Sequence, residues 1–307
     1  MHRYIIGRLL FAIVVVLAAS VLVWLLTHWV GDPVKLLLPL DASRDQVEQL
    51  RSSLGLDQPL WVQFKAFAAK AVRGDFGDSL WQRRPAMTVA MERLPATIKL
   101  VGAAFLVAVI LAIPLGVLAS IKPGSALDRV TSILALQGVC IPDFWLGLLM
   151  MMLFSVKLGW LPTSGIGGFN YLILPALTLS LRPMGRMAQM VRSAMLDQLG
   201  EQYVTTARAK GVSELKVVLV HALKNAAISI VTIAGWELGR MLAGYTVVVE
   251  WLFTWPGIGM LVIQAIDNWD FPLLQASVIL IGVTVSMVNL FVDLSYSFFD
   301  PRIRGED

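Results

Sequence analysis

Apolar stretches of membrane length alternate along this chain with short basic segments, and that alternation predicts its elements. Residues 9–30 carry no formal charge and follow Arg3 and Arg8. A helix needs ~20 apolar residues to cross a bilayer, so 9–30 reads as a first span with a cytoplasmic N-terminus. It is too long for a signal-peptide core, and no small-residue cleavage site follows it. Residues 31–94 are polar and mixed in charge, with dispersed aromatics. Short helices are predicted over 46–54 and 60–72, with a turn at Gly74-Asp75-Phe76-Gly77-Asp78. This stretch reads as a small extracytoplasmic cap. Its basic residues do not conflict with the positive-inside rule, which counts short loops only.

The remaining spans are predicted over 100–121, 130–156, 171–181, 225–249 and 271–292. The second carries Pro114, which a helical bundle tolerates. The third is interrupted at Pro142-Asp143. The fourth is too short alone, so its helix is expected to continue with Arg182 and Arg186 on one face. Basic residues from Arg182 to Lys224 put that region in the cytoplasm. Residues 241–301 hold no Lys or Arg, while Glu250, Asp267 and Asp270 are acidic. That loop is expected outside, with Trp251, Trp255 and Trp269 as interfacial belt residues. Arg302 and Arg304 return the tail to the cytoplasm. The result is an all-α membrane protein of six transmembrane helices. It divides into 1–30, a cap over 31–96, a five-helix core over 97–298 and a tail over 299–307.

Composition agrees with this picture. Hydrophobic residues make up 57% of the chain and charged residues 15%, against about 25% charged in soluble domains. The mean hydropathy is +0.73 and the pI about 9.3. The bases lie in clusters beside apolar runs, which suits lipid headgroups rather than nucleic acid. The single cysteine, Cys140, excludes an internal disulfide and is expected to be a packed thiol. No G-x-x-x-x-G-K-[ST] loop occurs, so hydrolysis of ATP by the P-loop route is not expected. His2, His28 and His221 are scattered, no metal-ligand spacing is present, and no enzyme active site is legible.

One polar segment stands out, spanning residues 201–216. Residues 203–210 are good helix formers ending in Arg208 and Lys210, where the helix dipole favours cations. Gly211 suits a left-handed turn. Ser213 is placed to cap a second helix, with Glu214 in its first turn. Helix, sharp turn, helix is predicted. Spacing alone leaves open whether this is a connecting loop or a handle for a partner.

The motif Ala207-Arg208-Ala209-Lys210-Gly211, with Tyr203 before it and Ser213-Glu214 after, resembles the coupling loop of ABC-transporter permeases in the dipeptide and oligopeptide uptake family. Others follow in family order. Leu54-Gly55-Leu56-Asp57-Gln58-Pro59 and Gly74-Asp75-Phe76-Gly77 are similar to that family's outer domain, and Arg93-Leu94-Pro95-Ala96-Thr97 to the start of its second span. Trp160-Leu161-Pro162-Thr163-Ser164-Gly165, Trp255-Pro256-Gly257-Ile258-Gly259 and Asp300-Pro301-Arg302-Ile303-Arg304 resemble later signatures. Thr205-Thr206-Ala207 stands where the wider importer superfamily begins Glu-Ala-Ala, a change that favours the peptide branch, and 221–225 stands where other branches have an Ile-x-Leu-Pro ending; both departures weaken any borrowing of contacts from sugar or amino-acid importers.

The resemblance implies a type I ABC importer permease in the bacterial inner membrane, its ends cytoplasmic. It further implies a homologous second permease and two ATP-binding subunits that hold ATP and Mg, since this chain has no cofactor of its own. A periplasmic or lipid-anchored solute-binding protein completes the set. The coupling residues it implies are Glu201, Tyr203, Thr205, Thr206, Ala207, Arg208, Ala209, Lys210, Gly211, Ser213 and Glu214. Trp255, Pro256 and Gly257 are candidates for gating or for docking the binding protein. The solute is left open among dipeptides, longer peptides, glutathione and metal chelates. The competing class is a secondary transporter or channel working without ATPases.

Asp143, Glu237 and Arg240 lie inside apolar segments, where a charge costs ~2.5–3.5 kcal/mol on insertion scales. Such residues face a partner or a water-filled path. Glu237 and Arg240, three residues apart, can pair, and both a structural pair and a path-lining role remain open. Asp143 has no neighbouring partner in sequence; Arg182 is a candidate across the bundle. Gly235 and Gly239, like the other glycines of the apolar runs, read first as close helix packing; as a G-x-x-x-G pair they are also a candidate seam to a second subunit.

Overall fold

The computed structural model describes residues 16–25, 43–53 and 57–299, together with isolated positions before residue 16. Its elements are helical, in the order α1 (Val16–Leu25), α2 (Arg44–Ser53), α3 (Leu60–Ala71), α4 (Ala86–Ile121), α5 (Ala126–Cys140) and α6 (Asp143–Met150). Then come α7 (Phe169–Leu199), α8 (Gln202–Ala209), the continuous helix α9 (Glu214–Leu252), α10 (Ile258–Asp267) and α11 (Phe271–Phe299). Wider π-helical turns run over Met151–Lys157 after α6, and over Val217–Ala222 and Met241–Tyr245 within α9.

Among the described residues three helices are long and apolar enough to cross a membrane: Ala86–Ile121, Glu214–Leu252 and Phe271–Val292. The predicted third span divides at Pro142, which is the N-cap of α6 and cannot donate a helical N–H. The predicted fourth span does continue, through Arg182 and Arg186, to Leu199. Part of 9–30, all of 31–42 and all of the tail after 299 lie outside the described residues.

The second span begins earlier than the charge pattern suggested. α4 starts at Ala86 and runs through Glu92, Arg93 and Pro95, so the cap boundary drawn at 96 falls inside a helix. The cap is also less separate than expected. Phe76 packs into one cluster with Ala86 and Ala90 of α4, Leu261 of α10 and Leu273 of α11. An aromatic chain joins Trp24 of α1 to Phe64, then Phe67, then Phe76, with ring centroids 5.3, 6.4 and 6.3 Å apart.

The centre of the fold is α4 against α7. Leu100, Ala104, Ala108, Ala112 and Gly116 recur every four residues and are all buried, making one stripe of mostly small side chains. Small residues let two backbones approach closely. A Cβ on Gly116 would stand 2.6 Å from the Ala188 carbonyl oxygen, and one on Gly185 2.9 Å from Ala135 Cα. α7 is thereby clamped between α4 and α5. Gly235 and Gly239 meet α11 of the same chain: a Cβ at Gly235 would lie 2.1 Å from Val292 Cγ1, and one at Gly239 2.9 Å from Asn289 Oδ1. The pair makes the close helix packing expected of such glycines, here within the one chain.

Candidate functional site

α7 ends at Leu199, and α8 opens after Glu201, whose extended backbone (φ −74°, ψ 150°) begins a new helix. α8 turns one side inward: Val204 is buried, and the Tyr203 hydroxyl donates to Gln198 Oε1 at 2.8 Å, tying α8 back to α7. Gly211 takes φ +78°, the left-handed geometry its sequence position called for. The Val212 N–H then reaches back to the Ala207 carbonyl at 3.2 Å, a closing bond typical of helix C-termini. Ser213 occupies the N-cap of α9 without a side-chain capping bond, and Glu214 sits in the first turn.

Arg208 and Glu214 join across this turn. Arg208 Nε donates to Glu214 Oε2 at 3.0 Å and Nη2 to Oε1 at 2.6 Å, a bidentate pair on the surface. Glu201, Thr205, Thr206, Ala209, Lys210, Gly211 and Ser213 are exposed, and Ala207 partly so. The elbow is therefore stiffly attached and polar-faced. Near its base Arg192 of α7 forms a two-point ion pair with Asp128 of α5, whose second oxygen also accepts the Gly124 N–H at 2.8 Å.

The charges inside the apolar helices converge. Asp143 Oδ1 accepts from Arg182 Nε at 3.1 Å, and Arg182 Nη2 also reaches the Ile141 carbonyl at 3.4 Å. Glu237 is fully buried; its Oε1 lies 3.4 Å from Arg186 Nη1 and 3.8 Å from Arg240 Nη1. Glu237 and Arg240 are thus neighbours as their spacing suggested, but Arg186 is the nearer partner. Arg186 was placed beside Arg182 on one helix face from sequence but not read as this partner, because a contact spanning 51 residues leaves no local signal. Tyr245 completes the group, accepting from Arg186 at 3.5 Å, with the Arg182 guanidinium 5.2 Å from its ring centre.

The Trp255-Pro256-Gly257 loop wraps a second buried acid. Glu250 is fully buried, accepting Thr97 Oγ1 at 2.6 Å and the Met260 N–H at 3.2 Å. Trp255 is buried too, and its indole N–H donates to the Ala96 carbonyl at 2.9 Å. It is a core residue rather than the belt or docking residue expected, whereas Trp251 and Trp269 are exposed. Sequence reasoning missed Glu250 and Thr97. Glu250 stands at the end of an apolar run and was read there as an acid of the outer loop.

Helices of membrane length, charges paired between them and an exposed polar elbow are the parts a membrane transport permease combines. Family models agree over nearly the whole length: residues 1–101 match the N-terminal part, and 112–305 the main part, of the binding-protein-dependent transport system inner membrane component. The chain belongs to that family, a family of transport permeases and not of enzymes, and is a permease subunit of an ATP-driven importer. It is 41% identical over 305 residues to the glutathione transport system permease protein GsiC of Escherichia coli strain K12, covering 99% of each chain. The GsiC of Salmonella typhi matches equally, at 41% over 305 residues and 99% of each chain. Among solved structures, an inward-facing conformation of the MetNI methionine ABC transporter aligns with a TM-score of 0.59 at 18% identity, covering 70% of this chain and 97% of that one. That likeness shows the permease fold alone.

Proposed function

We propose that this permease forms half of a translocation path for short peptides, with glutathione the first solute to test, and that separate ATPase subunits drive it through the elbow at α8. The observation that carries this reading is the way the elbow is attached. Its outer face is polar and exposed, while Tyr203 binds it to α7 and Arg208 binds it to α9. A displacement of α8 is therefore passed to both helices that hold the buried charges, as a rigid-body movement rather than through a slack loop.

In this reading the chain crosses the membrane six times. α5 and α6 together form the third span, α7 the fourth and α9 the fifth, and both termini are cytoplasmic. The cap over 31–85 lies outside and meets a periplasmic or lipid-anchored binding protein. A homologous permease closes the path, and two ATP-binding subunits carry ATP and Mg beneath it. The solute class is supported by relatives named for glutathione transport at 41% identity over the full length.

The test is Gly211→Val in the complete importer reconstituted in liposomes. A β-branched residue is strained at φ +78°, so the turn changes direction while the spans still insert. ATP hydrolysis stimulated by loaded binding protein is expected to fall to its unstimulated level. Full stimulation in the variant overturns the coupling assignment.

A further inference from the structure

Two acids and three arginines share the buried cluster, so it carries one positive charge in excess. Asp143 is taken by Arg182, and Glu237 Oε1 by Arg186. The excess falls on Arg240. Its closest carboxylate oxygen, 3.8 Å away, is the one Arg186 already occupies at 3.4 Å. Its guanidinium lies 5.8 Å from the Trp236 ring centre, and its side chain is 43% exposed. At 1.5 Å per residue Arg240 stands about 18 Å along α9 from Leu252, and Arg182 about 20 Å along α7 from Phe169. On the six-span reading, in which α7 begins and α9 ends at the outer surface, both depths are near the middle of a ~30 Å hydrocarbon layer. A guanidinium open to lipid there is costly, so such residues face a water-filled path or a partner.

A second observation points the same way. Glu237 Oε2 is buried and, among the described residues, has no hydrogen-bond partner. An empty buried carboxylate oxygen is unfavourable, so the group is short of one donor while Arg240 is short of one acceptor. A solute bearing an ammonium or amide N–H together with a carboxylate supplies both. A solute with one carboxylate more than it has ammonium groups also cancels the excess charge.

We propose that this cluster selects net-anionic peptides over their neutral analogues during passage, with Arg240 receiving the extra carboxylate and Glu237 Oε2 the N–H donor. The inference rests on the reading that α7 and α9 line the path. Guanidinium–carboxylate contact at low dielectric is strong and directional, which suits a filter that reads one group on a small flexible solute.

The experiment compares maximal uptake rates of glutathione and its glycine monoethyl ester, which differ by one carboxylate, in liposomes holding the full importer and saturating binding protein. The wild type is expected to favour glutathione, Arg240→Gln to reduce that preference about tenfold, and Arg240→Lys to keep most of it. An unchanged preference in Arg240→Gln, with uptake intact, overturns the filter and leaves the transport reading standing. Absence of ATP-driven uptake of either compound overturns both. Should Arg240→Gln fail to assemble, the wild-type comparison decides: equal maximal rates for the two solutes sink the filter.

Discussion

Thr97 Oγ1 donates to Glu250 Oε1 at 2.6 Å and accepts the backbone N–H of Ile258 at 2.8 Å. One hydroxyl thus joins α4, the end of α9 and the start of α10. The first N–H groups of a helix have no partner within it, and here Ile258 is served by Thr97 and Met260 by Glu250 Oε2. The glycines around this carboxylate are small of necessity: a Cβ on Gly257 would lie 2.0 Å from Glu250 Oε1, and one on Gly259 2.6 Å from Val247 Cα. Thr254 before them holds φ +51°, a strained value for a β-branched residue.

Thr97→Val keeps the shape and removes the hydroxyl, leaving Ile258 N–H without its acceptor and Glu250 Oε1 without its donor. A loss of ~1–3 kcal/mol is expected, seen as a lower unfolding temperature in detergent, while Thr97→Ser keeps most of the wild-type value. Equal stability of the Val and Ser variants would show that the hydroxyl holds nothing together.

Gly235→Ala drives a methyl into Val292 Cγ1 and is expected to cost ~1–3 kcal/mol through overpacking. Adding Val292→Ala opens the space and recovers most of that loss, as thermal unfolding of the double variant would report. Gly116→Ala has no such remedy, because the obstacle includes the backbone oxygen of Ala188. If Gly235→Ala instead leaves the monomer intact and separates it from a second permease, the pair is an intersubunit seam after all.

These contacts mark what the sequence could and could not disclose. Gly211, the helix break at Pro142 and the continuation of α7 past Arg182 were legible because each depends on neighbours within one or two turns. Asp143 and Glu237 were legible as anomalies, an acid in an apolar run; Arg182, 39 residues from Asp143, was its candidate partner and does pair with it, but nothing local led from Glu237 to Arg186, 51 residues away. Glu250 escaped because it sits where an apolar run ends, and there a buried acid and a loop acid look alike. Trp255 failed for a related reason. Hydropathy assigns a tryptophan near a span's end to the interface, while its actual place depends on the Ala96 carbonyl that receives its N–H. The start of α4 at Ala86 was not legible because charge marks where a helix leaves apolar surroundings, not where its hydrogen bonding begins.

The elbow separates shape from charge. Exposed ion pairs contribute ~0–1 kcal/mol, so Arg208→Glu, which repels Glu214, is expected to leave the unfolding temperature nearly unchanged and to impair stimulated ATP hydrolysis. Exchanging the two charges, Arg208→Glu with Glu214→Arg, restores the brace with inverted sign. Recovery of coupling in the exchanged variant means that stiffness is what the ATPase needs. Continued loss means that Arg208 meets the partner directly, and normal coupling in Arg208→Glu alone removes both roles.

Asp143 and Arg182 offer the cleanest measure of pairing inside the bundle. Their side chains are only 14% and 21% exposed, and the ion pair spans 3.1 Å. Asp143→Asn leaves Arg182 with the Ile141 carbonyl at 3.4 Å and the Tyr245 ring, neither of which neutralises it. It also removes a negative charge from the first turn of α6, where the helix dipole favours one. Each single variant, Asp143→Asn or Arg182→Gln, is expected to lose ~2 kcal/mol or more, because an unpaired charge is left in surroundings that water reaches poorly. The double variant has no such charge and is expected to lose less than the two singles together, with a coupling energy of ~0.5–3 kcal/mol from thermal unfolding of the assembled importer. Strict additivity would mean that each residue answers to something other than its neighbour.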